Sequence, residues 1–132
     1  MVAMQLNQLS KFTRAYLTCA YFTSDENDGL GGQDYRKTKG PKNMHEKLSF
    51  QGLCAAIKVC NDFMLANAGL LANAGTPEEN GHDLWLTRNF HGTGFWDREY
   101  AVPVAEGLTD AAHALGETDL YEGDDGELYF SR

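Results

Sequence analysis

Cysteine is scarce in this 132-residue chain, and its three copies, Cys19, Cys54 and Cys60, form no Cys-x-x-Cys pair. The four histidines likewise show no His-x-x-x-His spacing. Those spacings set two ligands on one metal, so the sequence carries no recognisable metal site and implies no cofactor. An odd cysteine count on helical-looking segments reads as buried free thiols in a reducing cytoplasm. None of the three adjoins a histidine or a glycine-rich turn, which argues against a cysteine nucleophile. Long apolar runs are missing too. No segment approaches the ~20 residues that span a bilayer. Met1-Val2-Ala3-Met4-Gln5 offers neither a basic stretch nor a long apolar run for a secretory signal. The expectation is a protein without membrane contact.

Basic residues are lacking as well, but only toward one end. Residues 1–80 hold eight Lys/Arg and eight Asp/Glu, whereas residues 81–132 hold three and eleven. The whole net charge of −8 therefore lies in the second segment. Coating a phosphate backbone needs positive faces, so this balance argues against direct nucleic-acid binding. A basic cluster, Arg36, Lys37, Lys39, Lys42 and Lys47, stands in the neutral part. What remains is ordinary globular composition, 42% hydrophobic and 23% charged, over one domain's length. A chain of this size buries roughly two-thirds of its unfolded surface, enough for a core without staples.

Hydrophobic periodicity orders the chain. Leu6, Leu9, Phe12, Tyr16 and Cys19 recur at helical spacing and predict a helix over 4–22. Residues 23–42, poor in apolar side chains and rich in turn formers, predict a flexible surface loop. Asn43-Met44-His45-Glu46 resembles a capping box, and Leu48, Leu53, Ile57, Cys60, Met64 and Leu71 extend a second helix over 44–71. Gly69 and Gly75 weaken its end. After Gly81 the period changes. Leu84–Arg88 and Gly94–Arg98 read as two short strands around a loop at Asn89–Thr93. Thr109 caps a short helix through Leu115 that stops at Gly116. Asp119–Glu122 and Glu127–Phe130 flank Gly123-Asp124-Asp125-Gly126, read as a type I′ turn, a strong hairpin signal. The prediction is a single α+β domain over 1–132. Two N-terminal helices precede a β-hairpin, a helix and a second β-hairpin, forming an antiparallel sheet with helices on one face. Residues 82–130 form its β-rich, acidic half.

Candidate functional residues follow from that sheet. With Leu120, Leu128 and Phe130 facing the helices, Tyr121 and Tyr129 face away, and Leu84 and Leu86 inward put Trp85 outward. If Trp96 anchors the core, its truncation should cost ~3–5 kcal/mol. Arg88, His91 and Arg98 crowd the first hairpin, while Asp119, Asp124, Asp125 and Glu127 crowd the second. Together, Trp85, Arg88, His91, Trp96, Arg98, Asp119, Tyr121, Asp124, Asp125, Glu127 and Tyr129 make a candidate protein-binding surface. The carboxylates lack the twelve-residue spacing of an EF-hand loop. His91-Gly92-Thr93-Gly94 lacks the Lys-Ser/Thr of a P-loop. His82, Asp83, Arg88, His91 and Asp97 supply an alternative acid–base or metal set.

The stretch Asp83-Leu84-Trp85-Leu86-Thr87-Arg88-Asn89, His91-Gly92 and Gly94-Phe95-Trp96-Asp97-Arg98 resembles a motif of small bacteriophage and prophage proteins of unknown function. The likeness runs on through Gly107-Leu108-Thr109, Gly116-Glu117 and Asp119-Leu120-Tyr121-Glu122-Gly123-Asp124-Asp125-Gly126, and covers residues 82–129. Many of those proteins have Gly where this chain has Phe90. The resemblance implies no activity. It implies a phage or mobile-element protein acting in the bacterial host cytoplasm. The expected function is that of a non-catalytic accessory protein binding a host or phage protein, its acidic surface serving as an inhibitor or a nucleic-acid mimic. The alternatives are a small enzyme acting on nucleotide or nucleic acid through the 82–98 hairpin, and a single-strand binder stacking bases on Trp85 and Trp96.

Overall fold

Thr76 opens the helix around which the chain is arranged. Its side chain accepts from Glu79 N (3.1 Å), the Glu79 carboxylate accepts from Thr76 N (2.8 Å), and Pro77 stands in the first turn. This reciprocal cap, with proline where no N–H is needed, fixes a helix start. In the computed structural model, which describes residues 6–26 and 40–131, the result is a 12-residue helix, Pro77–Arg88. The expected first hairpin is absent, and the α+β reading is overturned. Among the described residues there are six α-helices and one two-stranded antiparallel sheet.

In chain order the helices are α1 (Lys11–Glu26), α2 (Gly40–Lys47), α3 (Phe50–Ala66), α4 (Ala68–Leu71), α5 (Pro77–Arg88) and α6 (Val102–Ala114). Strands β1 (Leu120–Glu122) and β2 (Leu128–Phe130) follow. Single 3-10 turns stand at Leu6–Gln8 and Phe95–Asp97. The reason for the misreading is burial. Every residue from Asp83 to Arg88 is buried, so the C-terminal half of α5 is enclosed on all sides and shows no amphipathic stripe. A short run buried throughout has the same pattern in a helix and in a core strand. Trp85, expected outside, is 3% exposed, and Trp96 is 50% exposed and so is no core anchor.

Helix α1 packs along α5, and α6 covers another side of it. Gly81 permits the first contact: a Cβ there would lie 2.0 Å from Phe12 O. The core gathers Phe12, Tyr16 and Leu17 of α1, Leu53, Ala56, Cys60 and Phe63 of α3, Leu84 and Trp85 of α5, and Leu108 of α6. Phe63 stacks on Phe95 at 6.0 Å, and Trp85 meets Tyr16 edge-on at 5.4 Å.

The expected long second helix is three. Asn43 lies inside α2, and the true N-cap of α3 is Ser49, whose hydroxyl accepts from Gly52 N (2.9 Å). The break at Leu48–Ser49 serves the sheet, because Leu48 bridges Leu128 and Ser49 N donates to Leu128 O (3.0 Å). Helix α6 starts well before Thr109, with Pro103 in its first turn, and ends where expected, at Gly116 (φ 79°). Phe90, just beyond α5, holds φ 56°, a left-handed conformation usually left to glycine. Of the expected 23–42 loop, residues 23–26 complete α1 and 40–42 begin α2, while residues 27–39, with Arg36, Lys37 and Lys39, lie outside the described residues. The cysteine reading needs one correction: Cys19 and Cys60 are buried, but Cys54 is exposed.

Candidate functional site

The C-terminal hairpin forms as its sequence predicts, with Leu120 opposite Phe130, Tyr121 opposite Tyr129 and Glu122 opposite Leu128. Strand alternation sends Leu120, Leu128 and Phe130 into the core, all below 5% exposed. The two tyrosines take the other face, where their rings stack at 5.9 Å, and Tyr121 is 44% exposed. Gln51 secures the hairpin from α3, its Nε2 donating to Phe130 O (3.2 Å).

The turn differs from the expected type I′. Neither Asp124 nor Asp125 has positive φ, whereas Gly126 does (81°). Gly126 N donates to Gly123 O (2.9 Å) and Gly123 N to Glu127 O (2.8 Å). This is the three-residue loop in which a type I turn is closed by a left-handed glycine. It aims the Asp125 carboxylate back along the strand. One oxygen accepts from Glu127 N (2.9 Å) and the other from the Tyr129 hydroxyl. That hydroxyl holds Asp125 below its ordinary carboxylate pKa. The carboxylate in turn pushes the Tyr129 phenol up to about 12. Glu122 is tied to the helices by Lys47 (3.2 Å). The exposed side of the hairpin is thus a stacked tyrosine pair beside carboxylates, with one tyrosine fixed by a charge-assisted bond.

A cleft of about 550 Å³ adjoins this face and is bordered by Trp85, His91, Asp119, Tyr121, Glu117 and Thr23. Trp85 contributes its polar tip, Nε1 donating to Thr23 Oγ1 (2.8 Å), while its body stays in the core. Asn89 shapes the cleft's wall: its Oδ1 accepts from Thr118 N (2.9 Å) and its Nδ2 donates to Trp85 O (3.0 Å). Ser131 Oγ accepts from Asp119 N (2.9 Å) and holds the start of the hairpin.

Seven of the eleven candidate residues therefore belong to one region: Trp85, His91, Asp119 and Tyr121 at the cleft, and Asp124, Asp125 and Tyr129 on the turn and strand beside it. Glu127 flanks them in the turn. The other three do not join them. Arg88 is buried (4% exposed) and points to the end of α6. Arg98 is bound to Asp83, and with Trp96 it lines a separate cleft against α6. Glu117, Asn89 and Thr118 complete the region without having been singled out. The acidic excess after residue 80 pointed loosely to Glu117, but no sequence signal joins Asn89 to Thr118.

The alternative acid–base set does not assemble. Asp83 is fully buried on Arg98, His82 lines a cleft with Lys11 and Arg14 of α1, and His91 lines the hairpin cleft. Among the described residues no group of three His, Cys, Asp or Glu side chains converges as metal ligands would. The glycine-bearing turn of the 82–98 stretch has a packing role: Thr87 Oγ1 accepts from Phe95 N (3.1 Å), and a Cβ at Gly94 would lie 2.2 Å from that oxygen. No protein-family model, curated protein or solved structure matches this chain.

Proposed function

We propose that this is a bacteriophage accessory protein that acts in the bacterial host cytoplasm by binding a host or phage protein through its C-terminal hairpin. The observation that carries the reading is the Tyr121–Tyr129 stack, with Tyr121 exposed and Tyr129 half-buried, set among Asp119, Asp124, Asp125 and Glu127 and continuous with the adjoining cleft. Aromatic rings held rigid at a surface supply contact area at little entropic cost, and surrounding carboxylates select a basic partner and steer its approach. Such a face suits a basic segment of the kind that contacts nucleic acid, so binding it inhibits the partner by occupying that segment. The phage origin rests on the resemblance of residues 82–129 to small phage and prophage proteins. Among the described residues no helix is long and apolar enough to cross a membrane.

The test is a charge-neutral variant carrying Asp119→Asn, Asp124→Asn, Asp125→Asn and Glu127→Gln. The wild type should retain a basic bacterial protein at low salt, release it at high salt, and cross-link to it through the hairpin. The variant should fold and retain nothing. A variant that binds the same partner equally at both salt concentrations would show that the carboxylates serve solubility alone.

A further inference from the structure

Arg88 is a buried cation, 4% exposed, that no carboxylate among the described residues neutralises. Its Nε donates to Gly116 O (2.8 Å), Nη1 to the Tyr16 hydroxyl (3.0 Å) and Nη2 to Leu115 O (3.4 Å). The two carbonyls follow directly on the last turn of α6, at its C-cap Leu115 and at Gly116, where the helix dipole offers partial negative charge. A guanidinium has five N–H donors, so with three engaged two remain. The cost of burying a charge is offset fully only when it is paired as well as hydrogen-bonded.

Arg88 is one of the residues lining a cleft of about 310 Å³. The walls are apolar: Ala55, Ala56 and Val59 of α3, Leu115 beyond α6, Phe130 of β2, and the Tyr16 ring. Lys58 and Asp62 stand at its mouth and neutralise each other (2.8 Å). An apolar slot with one buried, fork-shaped cation selects a ligand that is apolar along its body and anionic at one end. A carboxylate matches the guanidinium's paired donors, and its charge supplies the missing counter-ion. The volume is at the small end of the ~300–1,000 Å³ range of small-molecule sites, which limits the body's size.

We propose that this cleft binds a small monocarboxylate with an apolar body, its carboxylate on Arg88 and its body along Ala55, Val59 and Phe130. The site is distinct from the hairpin face and does not depend on the function proposed for that face. Octanoate is a suitable probe, with octanamide as the neutral isostere of the same length. By calorimetric titration of the full chain, octanoate should bind saturably and raise the melting temperature. Octanamide should bind weaker by about tenfold or more, the effect of losing a hydrogen bond to a charged group. Arg88→Met should erase the preference between the two. Because that change also leaves the Tyr16, Leu115 and Gly116 oxygens without their donor, a second variant, Val59→Trp, fills the slot from its half-exposed wall. It should stay folded and lose octanoate. Absent saturation, equal binding of octanoate and octanamide, or unchanged octanoate binding by Val59→Trp would each overturn the proposal.

Discussion

Arg98 reaches from the segment after the Phe95–Asp97 turn to clasp Asp83 of α5 with two parallel hydrogen bonds, Nε to Oδ2 at 2.9 Å and Nη2 to Oδ1 at 2.8 Å. The Asp83 side chain is wholly buried and the Arg98 side chain is 36% exposed. The carboxylate holds the guanidinium's pKa above its ordinary value. Removing one partner of a buried pair costs far more than the pair itself is worth, because the remaining charge is stranded. Arg98→Ala should therefore destabilise the protein by ~3 kcal/mol, the lower end for a buried pair because one partner is partly solvated. Combining it with Asp83→Asn should recover part of that loss. Urea denaturation of the four proteins measures the coupling. A cost for Arg98→Ala within about 0.5 kcal/mol of zero, the scale of an ordinary surface change, would mean that water reaches Asp83.

The two tryptophans differ in burial, Trp85 lying in the core and Trp96 at the surface, and stability separates them. Trp85 packs against Tyr16 and Phe130 at 5.4 and 5.9 Å between centroids, while Trp96 is half-exposed. Trp85→Ala should cost ~3–5 kcal/mol, the range for truncating a core aromatic. Trp96→Ala should cost less, ~1–2 kcal/mol, since only about half of its surface leaves water on folding. Thermal melts of both variants decide this, and the reverse order would place Trp96 in the core.

Gly81 is the crossing point of α1 and α5. A Cβ there would stand 2.0 Å from Phe12 O and 2.9 Å from Phe12 C, backbone atoms that have no rotamer in which to retreat. The helices must separate to admit it. Gly81→Ala should destabilise by ~3 kcal/mol, near the upper end for overpacking, although alanine favours a helix over glycine by ~1 kcal/mol. A stabilised variant, read by the urea midpoint, would show that the crossing is loose.

Burial symmetry explains why the sequence pattern predicts a hairpin over 82–98 that does not form and a C-terminal hairpin that does. Leu120 to Phe130 is a surface hairpin with one face in the core, so alternation survives in the sequence and correctly assigns Tyr121 and Tyr129 outward. The C-terminal half of α5 is buried all round, and Leu84-Trp85-Leu86 carries no period at all. The decisive signal was local and present: Thr76-Pro77-Glu78-Glu79 is a capping box with proline at the helix start. Weighting that cap above the apolar run recovers the helix. Pro103 marks the true start of α6 in the same way. The acidic hairpin face was legible because its residues are near in sequence. The Arg88 cleft was not, since Tyr16, Arg88 and Phe130 meet only in three dimensions.

The thiols test a different consequence of packing. Cys54 is on the exposed side of α3, whereas Cys19 and Cys60 lie in the core, and burial pushes the Cys60 thiol up to about 12. Reactivity needs both access and thiolate, so a native protein should be modified once, at Cys54. Denaturation should expose the other two. Mass spectrometry of the labelled peptides checks the assignment, and fast native labelling of Cys60 would require the α3 core to open.

Tyr129 and Asp125 couple the hairpin's shape to pH. The phenol's ordinary value is 10.0, and the bond to Asp125 raises it to about 12, because the carboxylate accepts the proton that titration would remove. A folded-state value above the unfolded one means stability that is complete below pH 10.0 and lost as pH climbs toward about 12. Asp125 has the opposite sign. Its value is lowered first by the Tyr129 hydroxyl, so its share is present above the ordinary carboxylate range and disappears as acid protonates it. Between those limits the turn holds one geometry, and with it the Tyr121–Tyr129 stack. Asp125→Asn keeps the turn's shape but removes the charge, and should return the Tyr129 titration, followed by phenolate absorbance, toward 10.0. Tyr129→Phe should remove the transition without unfolding the hairpin, since the ring still stacks on Tyr121. If Asp125→Asn leaves the high-pH phenolate transition where it was, the hydroxyl is not bonded to this carboxylate in solution, and the tyrosine face is mobile instead of preset for a partner.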